Sequence, residues 1–231
     1  MSPLPEASFQ TKSLREQVYE YLREALSARA LAPGDTIRMD ELCEKLGISR
    51  TPLREALLQL EWEGFVTIYP RRGIVVRGLT LDTIRHLYEI IGALESSTIP
   101  MVFPLLNLEH LAAMQEHNHA MRDALNHDDF QAYYSHNIAL HDCLLSLSDN
   151  RELNRIISVS RQRLYDFPRK TTFIKEWELR SLDEHQKYID LLLAGDSPGA
   201  SRFIRDVHWS YAVQEPFIRQ YYASEIDNHA I

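Results

Sequence analysis

The sequence has no long apolar stretch: nowhere does a run approach the ~18 consecutive apolar residues of a membrane-spanning helix. Met1 to Lys12, MSPLPEASFQTK, also lacks the basic segment followed by an apolar one that marks a secretory leader. Neither membrane insertion nor export is expected, and the chain reads as cytoplasmic. There are only two cysteines, Cys43 and Cys143, far apart and in different expected domains, which argues against a disulfide framework and for a reducing compartment. They read as small apolar fillers. No internal repeat or low-complexity tract is evident. What is present is 231 residues with 45% hydrophobic content, enough for one large domain or two ordinary ones with real cores.

A net charge of -8 argues against a nucleic-acid binder until it is divided along the chain. Met1 to Gly78 holds 11 Lys+Arg against 11 Asp+Glu, so the acidic excess, 22 against 14, lies entirely beyond Gly78. Within the neutral first third, Ile48 to Gly78 carries Arg50, Arg54, Arg71, Arg72 and Arg77 against Glu55, Glu61 and Glu63. A local basic surface is compatible with an acidic whole.

Ser13-Leu-Arg-Glu16 is a capping box, and Leu14, Val18, Tyr21, Leu22 and Leu26 follow at helical spacing until Ala32-Pro-Gly-Asp35 makes a turn. Asp40 to Leu46 reads as a second, short helix closed by Gly47. Ser49 is placed to cap a third, with Pro52 in its first turn and Leu53, Ala56, Leu57 and Leu60 as its buried stripe. After Gly64 the period changes to two: Phe65 to Tyr69 and Ile74 to Arg77 bracket Pro70-Arg-Arg-Gly73 as a hairpin. Helix, helix, turn, helix, hairpin is the order of a winged helix-turn-helix. From Thr80 onward no strand is expected. The predicted helices are Leu81 to Val102, Leu108 to Asn126, Phe130 to Leu147, Arg151 to Phe167, Leu182 to Ala194 and Pro198 to Tyr211, with Asn107, Asn150, Ser181 and Ser197 as N-caps. The fold expected is mainly α. A winged helix-turn-helix with a small β-hairpin wing over 13–78 precedes an all-α antiparallel bundle over 79–222, with tails at 1–12 and 223–231.

Ile48-Ser-Arg-Thr-Pro-Leu-Arg-Glu-Ala-Leu57, Leu60-Glu-Trp-Glu-Gly64 and Pro70-Arg-Arg-Gly73, in that order and spacing, resemble the GntR family of bacterial regulators. The resemblance places Ser49, Arg50, Thr51 and Arg54 at the start of a recognition helix and Arg72 and Gly73 at the wing tip. The chemistry agrees: Arg50 and Arg54, four apart on one helical face, can enter one major groove, and Ser49 and Thr51 are short donors suited to phosphate. The bland alternative is a cap and solvated side chains. Asp40 stands where some family members carry a basic residue. The implied partner is double-stranded operator DNA, pseudo-palindromic and read by a homodimer, since one such unit needs a second half-site for specificity.

In the second domain, Asn137 and His141 fall four apart on the apolar stripe of one helix, with Ile138, Leu144 and Leu145. His185 precedes Tyr188, Ile189 and Leu192 by three, four and seven positions, and His208 follows Ile204 by four and precedes Tyr211 by three. All three histidines should face a core, where each would cost a few kcal/mol unpaired. Satisfied core histidines and a metal ion are about equally good accounts, the ion being zinc, nickel, iron or copper on the preferences of imidazole. The remaining histidines, including His86, His117, His119 and His127, show no convergence.

Residues 81–222 are similar to the FCD effector domain of the FadR subfamily, which places an Asp and a His four apart on one helix and two more His on later helices. Asn137, His141, His185 and His208 fall on those positions. The resemblance implies a divalent metal and a small organic-acid effector whose carboxylate approaches it. Asn137 replaces the usual aspartate and offers an uncharged amide oxygen. Ile91 stands where an arginine is common, so Arg161 and Arg163 on another helix are candidate substitutes for the carboxylate clamp, with plain surface arginines the favoured alternative for both. The function expected is a ligand-responsive transcriptional regulator, not an enzyme. Its rivals are a His-ligated metalloenzyme, disfavoured because no inward Glu or Asp is evident beside the histidines to act as a base, and a DNA-binding dimer with purely structural histidines.

Overall fold

A computed structural model describes residues 12–28, 30–165 and 173–226, with side chains described to Tyr222. All of the expected N-terminal tail but Lys12, the expected helix end at Phe167 and the last five residues lie outside the described residues. The chain divides into two compact units, the first ending at Gly78 and the second beginning at Leu79.

In the first unit α1 (Leu14–Ser27) opens with the capping box: Ser13 Oγ accepts from the Glu16 N–H, and Glu16 Oε2 accepts from the Ser13 N–H at 2.8 Å. Val18, Leu22 and Leu26, four apart, form its buried face, while Leu14 stays half exposed. Thr36–Ile37 forms β1, a two-residue strand too short to register as a periodic run. Next come α2 (Met39–Leu46), closed by Gly47 at φ 64, and α3 (Arg50–Trp62). Only glycine adopts that left-handed cap without penalty. Ser49 is the α3 N-cap by backbone but its hydroxyl makes no capping hydrogen bond, contrary to expectation. Leu53, Ala56, Leu57 and Leu60 are fully buried. The wing, β2 (Val66–Tyr69) and β3 (Gly73–Val76), pairs antiparallel with Ile68 opposite Ile74. β1 adds to β3, giving the order β1-β3-β2. Ile37, Phe65, Val66, Ile74 and Val76 complete the core.

The second unit is helical among its described residues: α4 (Leu81–Val102), α5 (Leu108–Asn126), α6 (Phe130–Leu145), α7 (Arg151–Tyr165), α8 (Lys175–Leu193), α9 (Ser197–Phe203) and α10 (Tyr211–Ile226). α5 packs on α6 and α8, and α4 on α7 and α9. The bounds of α4 and α5 match the sequence expectation because both are well capped, α4 by the Thr80 hydroxyl and α5 by the Asn107 side chain. α8 begins seven residues earlier than expected, so Ser181 is interior rather than an N-cap. The expected Ser197 cap is supplied instead by Asp196, whose carboxylate accepts from Gly199 N–H at 2.8 Å. The expected helix from Pro198 to Tyr211 breaks into α9, a π-helical turn over Ile204–His208, and α10. At that turn Trp209 N–H bonds to the Ile204 carbonyl five residues back, which turns both His208 and Trp209 inward. Gly92 on α4 makes room for it, since a Cβ there would lie 3.0 Å from Trp209 Cβ.

Candidate functional site

On the first unit, Ser49, Arg50, Thr51 and Arg54 are all exposed at the start of α3, and Arg72 and Gly73 are exposed at the hairpin. Arg50 Nη2 donates to Asp40 Oδ1 at 2.5 Å, so an acidic residue in the first turn of α2 steadies an arginine of α3. Among the described residues Arg54 makes no ion pair. Arg71 sits at φ 65 at the hairpin tip, ahead of Gly73 at φ 104. Leu53, Leu57 and Leu60 anchor α3 from the opposite face, so the polar first turn is held by a rigid core.

In the second unit His141 from α6, His185 from α8 and His208 from the π turn converge, with nitrogens from all three within 4.8 Å of one another. The ring centroids lie 5.2 Å apart for His141–His185, 5.1 Å for His141–His208 and 4.8 Å for His185–His208. His141 and His185 are 1% and 0% exposed. Two carboxylates that the sequence reading missed back this cluster. Glu95 of α4, also buried, accepts from His141 Nδ1 with one oxygen and from Trp209 Nε1 at 2.9 Å with the other. Glu184 of α8 accepts from His208 Nδ1 at 3.0 Å, and also takes Arg180 Nε at 2.9 Å and Gln214 Nε2 at 3.2 Å. The expectation that no inward acid accompanies the histidines is therefore corrected. A Glu–His hydrogen bond at Nδ1 fixes the tautomer that leaves Nε2 with a free lone pair, the usual support of a metal-ligating imidazole.

Burial pushes His185 well below the ordinary histidine range, and positive charge on His208 or His141 would push it further, so its ring is neutral. Burial likewise lowers His141, opposed by Glu95. For Glu95 burial acts to raise the carboxyl, but the charge and hydrogen bond of His141, with Arg161, hold it below its usual value. His141 Nε2 and both nitrogens of His185 are buried without a hydrogen-bond partner. His141 Nε2 and the nitrogens of His185, with a nitrogen of His208 close by, are a donor set for a divalent ion.

A cavity of about 70 Å³ adjoins the cluster. Asn137, Glu184, His208, Trp209 and Gln214 line it on the histidine side, and Tyr133, Tyr165, Trp177, Glu178, Tyr221 and Tyr222 elsewhere. Asn137, four residues before His141, is 8% exposed and so shares the buried face. Neither Arg161 nor Arg163 lines the cavity. Arg161 is buried, with Nη2 on Asp142 Oδ1 at 2.5 Å and Nη1 without a partner; Arg163 is half-buried. Ile91 is fully buried in the core. His117 and His136, on α5 and α6, pair through their Nδ1 atoms at 3.1 Å, a convergence the sequence reading did not anticipate. Both Cys43 and Cys143 are free thiols of intermediate burial.

A winged helix-turn-helix with exposed arginines on its third helix, in one chain with a helical bundle built around histidines, defines a DNA-binding transcriptional regulator. Residues 14–76 match the bacterial regulatory proteins of the gntR family, and residues 86–207 match the FCD domain. The chain belongs to the GntR family, in its FadR-type subfamily with a C-terminal FCD domain. It is similar to the Nta operon transcriptional regulator of Aminobacter aminovorans, with 32% identity over 169 residues, 70% of this chain and 75% of the relative. It also resembles an HTH-type transcriptional regulator from the TAR-I ttuE-ttuC' intergenic region of Agrobacterium vitis, with 30% identity over 55% of this chain and 77% of the relative. A solved GntR regulator structure from Rhodococcus sp. RHA1 shares the fold, with a TM-score of 0.67 at 21% identity, over 89% of this chain and 98% of that one. These relatives are transcriptional regulators, not enzymes. No helix of the described residues is long and apolar enough to cross a membrane.

Proposed function

We propose that this chain is a dimeric, operator-binding regulator of the cytoplasm whose affinity for DNA is set by a small organic acid held beside a divalent ion in the helical unit. The observation that carries this reading is the set of buried nitrogens without partners, His141 Nε2 and both of His185. Unsatisfied buried groups of this kind cost about 1–3 kcal/mol each, and an ion would remove that cost for His141 Nε2 and for one nitrogen of His185. His141, His185 and His208 would hold it, with the Asn137 amide oxygen as a further donor; zinc, nickel or iron suits such nitrogen ligands. When bound, the ion supplies a positive charge that attracts an anionic group of the effector. A cavity of about 70 Å³ is several times the ~10–15 Å³ one water requires and suits a molecule of a few carbons. Arg161, buried with Nη1 unpartnered, lies outside the cavity lining, so it adds positive charge beside Glu95 rather than a direct clamp on the effector. Arg163 carries no comparable support.

On DNA, Arg50 and Arg54 read base edges in the major groove, Ser49 and Thr51 contact phosphate, and Arg72 and Gly73 bring the wing to the backbone. Two such units on a pseudo-palindromic operator supply the specificity one lacks. The reading is tested on one preparation. The purified dimer should carry up to one divalent ion per chain, lose melting temperature on chelation, and change operator affinity when an effector acid is added. Arg54→Ala should keep the wild-type melting temperature and lose specific operator binding by about 5- to 150-fold, from the 1–3 kcal/mol of one base contact. Full operator binding by a folded Arg54→Ala protein, or metal occupancy that survives loss of both His141 and His185, would overturn it.

A further inference from the structure

Away from the histidines, the cavity has a chemistry that a plain organic acid does not match. Glu178 lines it, among Tyr133, Tyr165, Trp177 and Tyr222. Burial pushes this carboxyl up to about 7, opposed by the nearby Tyr133 hydroxyl, which donates to the Glu178 carbonyl at 3.4 Å. The cations near it on the described part of α8 are spoken for: Lys175 pairs with Asp128 at 2.7 Å and Arg180 with Glu184 at 2.9 Å. Among the described lining residues there is no lysine or arginine, and His208 is the sole basic side chain. A carboxylate in an aromatic hollow without a counter-charge is costly to ionise. The same surroundings favour a cation, which gains an ion pair with the carboxylate and attraction to the ring faces.

We propose that the effector is zwitterionic: a short amino acid whose protonated amine is bound by Glu178 and the tyrosine and tryptophan rings around it, while its carboxylate lies at the histidine end. The proposal rests on the functional reading above for the position of the carboxylate. Glu178 precedes Ser181 by three residues and His185 by seven, so the three lie on one face of α8. Seven residues advance about 10 Å along the axis. Allowing about 2 Å from ion to carboxylate oxygen and about 2.8 Å from amine to Glu178 leaves about 5–6 Å between the ligand's charged ends. That is the span of an extended amino acid with four or five carbons and a terminal amine. A dicarboxylic acid of the same length would set its second carboxylate against Glu178 and be repelled.

The test is calorimetry on zinc-loaded full-length protein with matched probes: butanoate against 4-aminobutanoate, pentanoate against 5-aminopentanoate, and glutarate. One of the two amino acids should bind at least tenfold more tightly than its plain partner, and glutarate more weakly than that amino acid. Glu178→Gln should erase the amine preference, leave the plain acid within about twofold, and improve glutarate. Glu178→Met, apolar and of similar length, should do the same and guards against a fold defect particular to the amide. Equal binding of amine-bearing and plain acids by wild type, or a preference that survives both substitutions, overturns the amine site while leaving the metal-and-carboxylate reading intact. Conversely, an amine preference that depends on Glu178 but is untouched by chelation or by His185→Ala upholds the amine site and refutes the carboxylate's place at the metal. No binding of any probe overturns the proposal.

Discussion

Replacing Glu95 by glutamine tests the claim that the cluster is built for a metal rather than for packing. Glu95 takes the His141 Nδ1 hydrogen on one oxygen and the Trp209 Nε1 hydrogen on the other, 2.9 Å away. A glutamine has one acceptor oxygen, and its amide nitrogen cannot receive the second N–H, so one donor loses its partner. If His141 is the loser, nothing holds its proton on Nδ1, and the tautomer with a free Nε2 is no longer enforced. Losing such a carboxylate typically costs 10–100-fold in metal affinity, equivalent to about 1.4–2.7 kcal/mol. The orphaned donor costs about 1–3 kcal/mol of apo stability, offset in part because a buried charge is also removed. Chelator competition with zinc gives the first quantity, and melting with and without zinc gives both. Trp209→Phe is the control: it removes the other donor, leaves the His141–Glu95 pair, and should change zinc affinity far less. Wild-type zinc affinity in a folded Glu95→Gln protein would refute the reasoning.

Three further outcomes follow from the same geometry. His185→Leu should make the chelator-treated protein more stable by about 1–3 kcal/mol, because two orphaned nitrogens leave the core, while abolishing the gain from added zinc; a less stable apo variant in melting experiments would count against their being unsatisfied. A carboxyl raised from 4.5 to about 7 binds its proton more tightly when folded than unfolded, so between those values Glu178 destabilises the fold, and its contribution improves as pH falls from 7 towards 4.5. Denaturation of wild type and Glu178→Gln across that range should show the wild type catching up by up to about 3 kcal/mol as pH falls, and a pH-independent difference would contradict it. Gly92→Ala should cost about 1–3 kcal/mol through overpacking and weaken zinc binding several-fold, since the added methyl pushes Trp209 and with it His208; unchanged melting and chelator competition would show that the π turn yields freely.

Local chemistry made much of this protein legible from its residues alone. The capping box at Ser13, the Gly47 stop, the Leu53–Leu60 stripe and the period-two wing are short-range signals, read within one or two turns of chain. They identify the winged helix-turn-helix and its exposed arginines. The spacing of His141, His185 and His208 within apolar faces likewise points them inward, and the structure brings them together. What the pattern could not contain were contacts across long stretches of chain. Glu95 looks like an ordinary exposed glutamate of a long helix, and only a pairing with residues 46 and 114 positions away buries it. Glu184 is masked in the same way beside His185, and the His117–His136 pair depends on how α5 meets α6. β1 is two residues long and exists only because β3 offers it an edge. α10 carries Pro216 and a weak apolar stripe, so its helix is set by packing rather than by propensity. The sequence thus determined which elements form and which faces they bury. Tertiary structure decided which charges are taken out of water together, because the energy of a buried carboxylate or imidazole depends on its partners and not on its neighbours in the chain.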